Sequence, residues 1–161
     1  MAQANPHADR QILERLEMTS KREQALQGLF LCLQTGLPGI SVLRNEVLTT
    51  AIPETGLVVL RDGDPGEPDI LLSPPRYIYK HRADIEVFVQ NADAAQRETD
   101  LDQLITQIGA ALETAGTLDG VIDILNPGSP ELLTEPIEGA AAIKAATLPV
   151  TLEYVTANPL I

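Results

Sequence analysis

The stretch Tyr77–Gln90, YIYKHRADIEVFVQ, alternates in character along its whole length, and no other segment so limits what this chain can become. One set of positions holds Tyr77, Tyr79, His81, Ala83, Ile85, Val87 and Val89. The other holds Ile78, Lys80, Arg82, Asp84, Glu86, Phe88 and Gln90. Successive side chains of a strand point to opposite faces, so a period of two predicts a β-strand with a mainly apolar and a mainly charged face. At about 3.3 Å per residue it would span roughly 45 Å. Strands usually run shorter. Either a bulge breaks this one, or part of it extends beyond the body.

The apolar face needs a cover, and two helical stripes are available. Ile12, Leu13 and Leu16 open a pattern near Asp9 that Leu26, Leu29, Phe30 and Leu33 continue. Ser20-Lys-Arg-Glu23 between them has the form of a capping box, so the pattern allows one long helix or two consecutive ones. Gly36 and Pro38 stop it. The second stripe is Leu101, Leu104, Ile105, Ile108 and Leu112, with Asn91 or Asp93 as cap and Gly116 as end.

Further strands are predicted at Ile40–Val47, Gly56–Arg61, Ile70–Leu72 and Thr147–Thr156. Pro149 lies inside the last, and proline donates no ladder hydrogen bond, so an edge position or a bulge is expected there. Val121–Leu125 is a short apolar run that fits no single element. Ser129-Pro130-Glu131 reads as a cap with proline at the first helical position, opening about one turn. Strands on either side of one helix predict an α+β fold: a mostly antiparallel sheet, two main helices on one face and one long hairpin. A chain of 161 residues suits a single domain, with residues 1–8 as a loose tail.

Composition narrows the function classes. Hydrophobic residues make up 44% but aromatics only 3%, so the core must be aliphatic. Residues 1–97 hold 13 acids and 10 bases; residues 98–161 hold 10 acids and one base, Lys144. A chain of net charge −12 with no basic stretch offers no footprint for nucleic acid and is repelled by an anionic membrane. No secretory signal or membrane span is expected. Cys32 is the sole cysteine, which excludes an intrachain disulfide and a thiolate cluster. A reducing cytoplasm is expected.

Site chemistry is sparse. His81 is the one histidine that a catalytic role could use, but it lies on the apolar strand face, and no G-x-S-x-G or phosphate loop is present. Cys32 sits in an apolar helical turn, as a small buried hydrophobe would. Arg61–Asp69, RDGDPGEPD, presents the acids Asp62, Asp64 and Glu67. The first two have calcium-loop spacing. Gly66 then stands where Asp or Asn is needed, Glu67 where Gly is needed, and Ser73 where a bidentate Glu is needed. Asp-Gly and Pro-Gly are turn dipeptides, so the stretch is expected to be a projecting hairpin tip, with no metal and no cofactor. On the charged face of the long strand, Lys80 and Arg82 precede Asp84 and Glu86. These blocks either pair with a neighbouring subunit or form a solvated outer face.

The runs Val42-Leu-Arg-Asn-Glu46, Gly56–Pro68, Tyr77-Ile-Tyr-Lys-His-Arg82 and Glu86-Val-Phe-Val-Gln90 resemble small tail proteins of siphophage-like prophages and gene-transfer-agent-like clusters of proteobacteria. Ile137-Glu-Gly-Ala140, Ile143-Lys144 and Leu148-Pro-Val150 fit the same pattern. These proteins group loosely with lambda-type tail terminators, and the resemblance covers about residues 40–156. It implies a non-enzymatic virion assembly protein that forms a ring, a hexamer in that family. The ring would cap the tail tube protein and face the head–tail connector. It would assemble in the host bacterial cytoplasm and end in the virion tail. Under this resemblance Asp62, Asp64, Glu67, Lys80, Arg82, Asp84 and Glu86 are interface candidates. A different head–tail neck adaptor, and a small transferase-type enzyme using His81 or the acidic loop, are the other readings.

Overall fold

The computed structural model describes residues 19–47, 51–133 and 142–161. The expected tail, the helical pattern from Asp9 through Leu16, and Ile137–Ala140 lie outside the described residues.

Helix α1 runs Lys21–Gly36. Ser20 caps it: its hydroxyl accepts the Glu23 N–H at 3.2 Å. The helix stops at Gly36, where the Leu37 N–H closes on the Leu33 carbonyl. Helix α2 runs Ala94–Ala115, capped by the Asp93 carboxylate on the Gln96 N–H at 2.7 Å and followed by Gly116 at positive φ. Both stripes read from the sequence face inward. Leu26, Leu29 and Leu33 of α1 and Leu101, Leu104, Ile108 and Leu112 of α2 join one apolar cluster with strand residues.

Seven strands form one mixed sheet: β1 (Ser41–Arg44), β2 (Leu57–Asp64), β3 (Asp69–Leu72), β4 (Pro75–Gln90), β5 (Ile124–Pro127), β6 (Glu131–Leu133) and β7 (Ile143–Thr156). The order is β1-β2-β4-β7-β5, with β3 beside the start of β4 and β6 beside the start of β7. Only β1 and β2 are parallel. The fold is α+β, with the two helices on one face of a mostly antiparallel sheet. Tyr79, His81, Ala83, Ile85, Val87 and Val89 of β4 are all buried, the face that the alternation predicts.

The length of β4 is resolved by extension, not by a bulge of its own. β4 pairs with β7 without interruption from Tyr77↔Thr156 to Gln90↔Ile143. The register shift lies across the sheet in β2, between Arg61 and Asp64. Gly63 makes it possible. Its φ is +67, and a Cβ there would sit 1.9 Å from the Arg82 carbonyl oxygen. Beyond the bulge, β3 and the first residues of β4 leave the core, and every residue of β3 is exposed.

Two local expectations are overturned. β7 is not an edge strand: it has β4 on one side and β5 and β6 on the other. Pro149 is tolerated because its carbonyl accepts the Gly128 N–H at 2.7 Å, on the β5 side. In an antiparallel ladder a residue's N and C=O face the same neighbour, so the missing N–H falls in the gap between β5 and β6. Gly128 must be glycine-sized, since a Cβ would meet the Pro149 ring at 2.8 Å. The Ser129-Pro130-Glu131 stretch opens no helix; residues 131–133 are strand β6. The cap pattern is local, and the ladder positions 145–147 of β7 take the segment instead.

Candidate functional site

At one end of the helix–sheet interface the polar groups converge. Arg44, on the helix face at the end of β1, meets two carboxylates. Its Nε and Nη2 donate to Asp62 at 2.7 and 2.8 Å, and its Nη1 and Nη2 donate to Glu23 at 2.7 and 2.8 Å. The Glu23 side chain therefore does not complete the capping box by turning back to Ser20; it reaches across to the sheet. Hydrogen bonding from Arg44 holds the Glu23 carboxyl below its usual range. Burial pushes Asp62 up, but hydrogen bonds from Arg44 and Asn45 outweigh it and leave Asp62 lowered. The two carboxylates in turn raise Arg44.

Asp62 also fixes His81. The His81 Nε2 lies 2.5 Å from the Asp62 carbonyl, and its Nδ1 lies 3.1 Å from the Tyr154 hydroxyl. A carbonyl only accepts, so Nε2 carries the proton and Nδ1 accepts from Tyr154. Burial lowers the histidine pKa and pushes that of Tyr154 up to about 12. Tyr79 stacks on Tyr154 with ring centroids 5.5 Å apart. His81 is 1% exposed, and both its nitrogens are engaged. In this geometry it is a core histidine, with no lone pair free for a substrate.

The acidic stretch is not a hairpin tip, which corrects the sequence reading. β2 and β3 both pair with β4 in the same direction, so Pro65–Pro68 is an excursion in one long arm of a hairpin. The turn itself lies at Ser73-Pro74, between Leu72 and Pro75. Two antiparallel ladders against a common strand were not visible in turn dipeptides. Asp62 is bound to Arg44, the Asp64 carboxylate accepts the Gly66 N–H at 2.8 Å, and Glu67 points to solvent. Among the described residues no group of acids, histidines and cysteines converges as a metal site.

The charge blocks of β4 find partners within the chain. Glu86 pairs with Arg61 at 2.8 Å, Arg82 with Asp84 at 3.3 Å and Glu131 at 3.7 Å, and Lys80 with Asp69 at 3.7 Å. Arg61 and Glu131 reach them because β2 and β6 carry them to the same face. Within one copy these residues thus pair with one another on the outer face of the sheet. Cys32 is half-buried in α1; its thiol donates to the Ala111 carbonyl at 3.3 Å, and burial raises its pKa.

What stands out instead is apolar. Ile70, Leu71 and Leu72 of β3 are 55%, 55% and 80% exposed. Leu132 and Leu133 of β6 and Ile124 of β5 are also exposed, at the opposite sheet edge. The signal was present in the sequence: Ile70-Leu-Leu72, between Pro68 and Pro74, is apolar with no alternation. Such a run reads as covered on both faces, and among the described residues it is covered on neither. Among the described residues no helix is long and apolar enough to cross a membrane. No protein-family model matches the chain, and no curated protein matches it at a significant level.

Proposed function

We propose that this chain is a non-enzymatic assembly subunit of the tail-terminator type. It forms a ring, six copies in the family it resembles, that caps the last ring of a tail tube and meets the head–tail connector. Assembly takes place in the host bacterial cytoplasm, and the protein ends in the virion tail. The observation that carries the reading is the β3–β4 arm, which leaves the core and holds three consecutive apolar residues in solvent. Contiguous apolar exposure of this kind marks an interaction surface. The engagement of His81 by Asp62 and Tyr154 argues against the form of the transferase reading that uses that imidazole as a base.

The test is mass in solution with negative-stain imaging, with and without purified tail tube protein. Rings that cap tube ends and halt elongation are expected. A strict monomer that never binds tube ends sinks the proposal. Binding to the connector but not the tube identifies a neck adaptor instead.

A further inference from the structure

We infer that copies of this chain join edge to edge through their sheets, with β3 of one copy laid antiparallel on β5 of the next. The inference rests on the ring reading for self-association, and adds which surfaces meet and in what register.

Among the described residues the two strands are open edges on opposite sides of the same sheet. Both are places where an acidic chain can approach itself. Residues 70–75 and 124–130 carry no charge, although the whole chain carries −12. The arm also brings a cation: Arg76 is exposed and pairs with no acid among the described residues. The receiving edge is flanked by the acids Asp123 and Glu131, and no lysine or arginine occurs between Arg97 and Lys144.

Direction and face then select a register. β3 and β7 both run antiparallel to β4, and β5 runs antiparallel to β7. Copies sharing one orientation therefore present β3 antiparallel to a neighbour's β5. On β3, Ile70 lies on the helix face and Leu71 on the other; on β5, Leu125 lies on the helix face and Ile124 and Asn126 on the other. Matching faces fixes the register to steps of two, and the step that sets apolar residues against each other places Leu71 opposite Ile124, Ile70 opposite Leu125 and Asp69 opposite Asn126. Leu71 stands level with Arg76, and Ile124 stands level with Lys80 through Glu153, so each copy is displaced by four residues along the strands.

That displacement fits the outline of both edges. β1 flanks its sheet level with positions 85–88, and β6 flanks the other edge level with positions 86–88. After a shift of four, β6 falls beside positions 82–84 of the next copy, just clear of its β1. Four residues are about 13 Å along the strands, and the four strands β3, β4, β7 and β5 span about 19 Å across, which tilts the strands by about 35°. Closed sheets take tilts of this size. The contact is heterologous, so it can close into a ring.

Two experiments test it. In a Cys32→Ser background, Leu71→Cys combined with Ile124→Cys should give, on mild oxidation, a ladder of disulfide-linked multimers; Leu71→Cys with Leu133→Cys should not. Second, Leu71→Glu and Ile124→Glu should each leave a folded monomer by circular dichroism and light scattering. Mixed, they should form a one-to-one dimer, because one intact arm still meets one intact edge. If wild-type rings form but both variants still assemble and the cysteine pair stays unlinked, the edge contact is wrong and the ring reading stands. A wild-type protein that remains monomeric even with tail tubes present, and never binds their ends, overturns both. Multimers that pass the mixing test but ignore tail tubes support the contact and sink the terminator reading.

Discussion

Around His81, polar groups are buried and each finds a partner inside the chain, whereas along β3, a short way off on the same sheet, three apolar side chains stand in solvent. Among the described residues no buried side-chain nitrogen or oxygen lacks a partner. The polar end is thus complete in one copy, and the arm is not. A complete site built from Arg44, Glu23, Asp62, His81 and Tyr154 holds the helix layer to the sheet. An incomplete one, built from Ile70, Leu71 and Leu72, contributes little to folding. Under the proposed assembly role, stability and association would therefore be separable.

The hardest blow to that contrast falls at the joint between the two regions. Gly63→Ala forces a side chain into a left-handed conformation and against the Arg82 carbonyl. It should cost about 3 kcal/mol or more, read as a shift in the urea midpoint, since the strain adds to the clash. Arg44→Ala comes next. It strands Glu23 and Asp62, whose side chains are 32% and 30% exposed, and should cost about 2 kcal/mol. Asp62→Asn should lose a smaller part of this, while Glu67→Gln should leave stability within about 0.5 kcal/mol. Of the three acids Asp62, Asp64 and Glu67, only Asp62 should therefore carry a cost to the fold when neutralised.

The polar end should also show in pH. Burial lowers the His81 pKa below its ordinary 6.5, so below that value the unfolded chain binds the proton more readily than the folded one. Stability is complete above about pH 6.5 and falls as pH drops toward the folded value, by at most about 1.4 kcal/mol per unit. Glu23 and Asp62, also lowered, add a further loss only at more acidic pH, as they protonate. His81→Gln should flatten the first phase and leave the second, as measured by thermal unfolding from pH 7.5 down to about pH 2.5. The smallest effect on folding belongs to the arm. Leu72→Ser, at a position 80% exposed, should change stability by less than about 0.5 kcal/mol. A loss of several kcal/mol there would show that the arm packs on its own body and would erase the contrast.

Both helix stripes, their caps at Ser20 and Asp93, and the alternation of β4 were legible because periodicity and capping are local in sequence. So was the α+β class, which follows from the order of the elements. Arg44, Glu23 and Tyr154 were not legible as a unit: Arg44 lies on β1, Glu23 on α1 and Tyr154 on β7, and no spacing rule connects them. The interior place of β7 was hidden for the same reason. Pro149 speaks only for its own N–H, and whether a gap lies opposite depends on where β5 ends and β6 begins. The amino-acid sequence by itself determined the two described helices, strands β1 to β4 and β7, and which of their faces are apolar, since those depend on neighbours within a few residues; it did not determine β5 and β6. Only the tertiary structure decided which charges pair, which edges stay open and which end of the long hairpin projects, because these depend on registers between strands far apart in the chain.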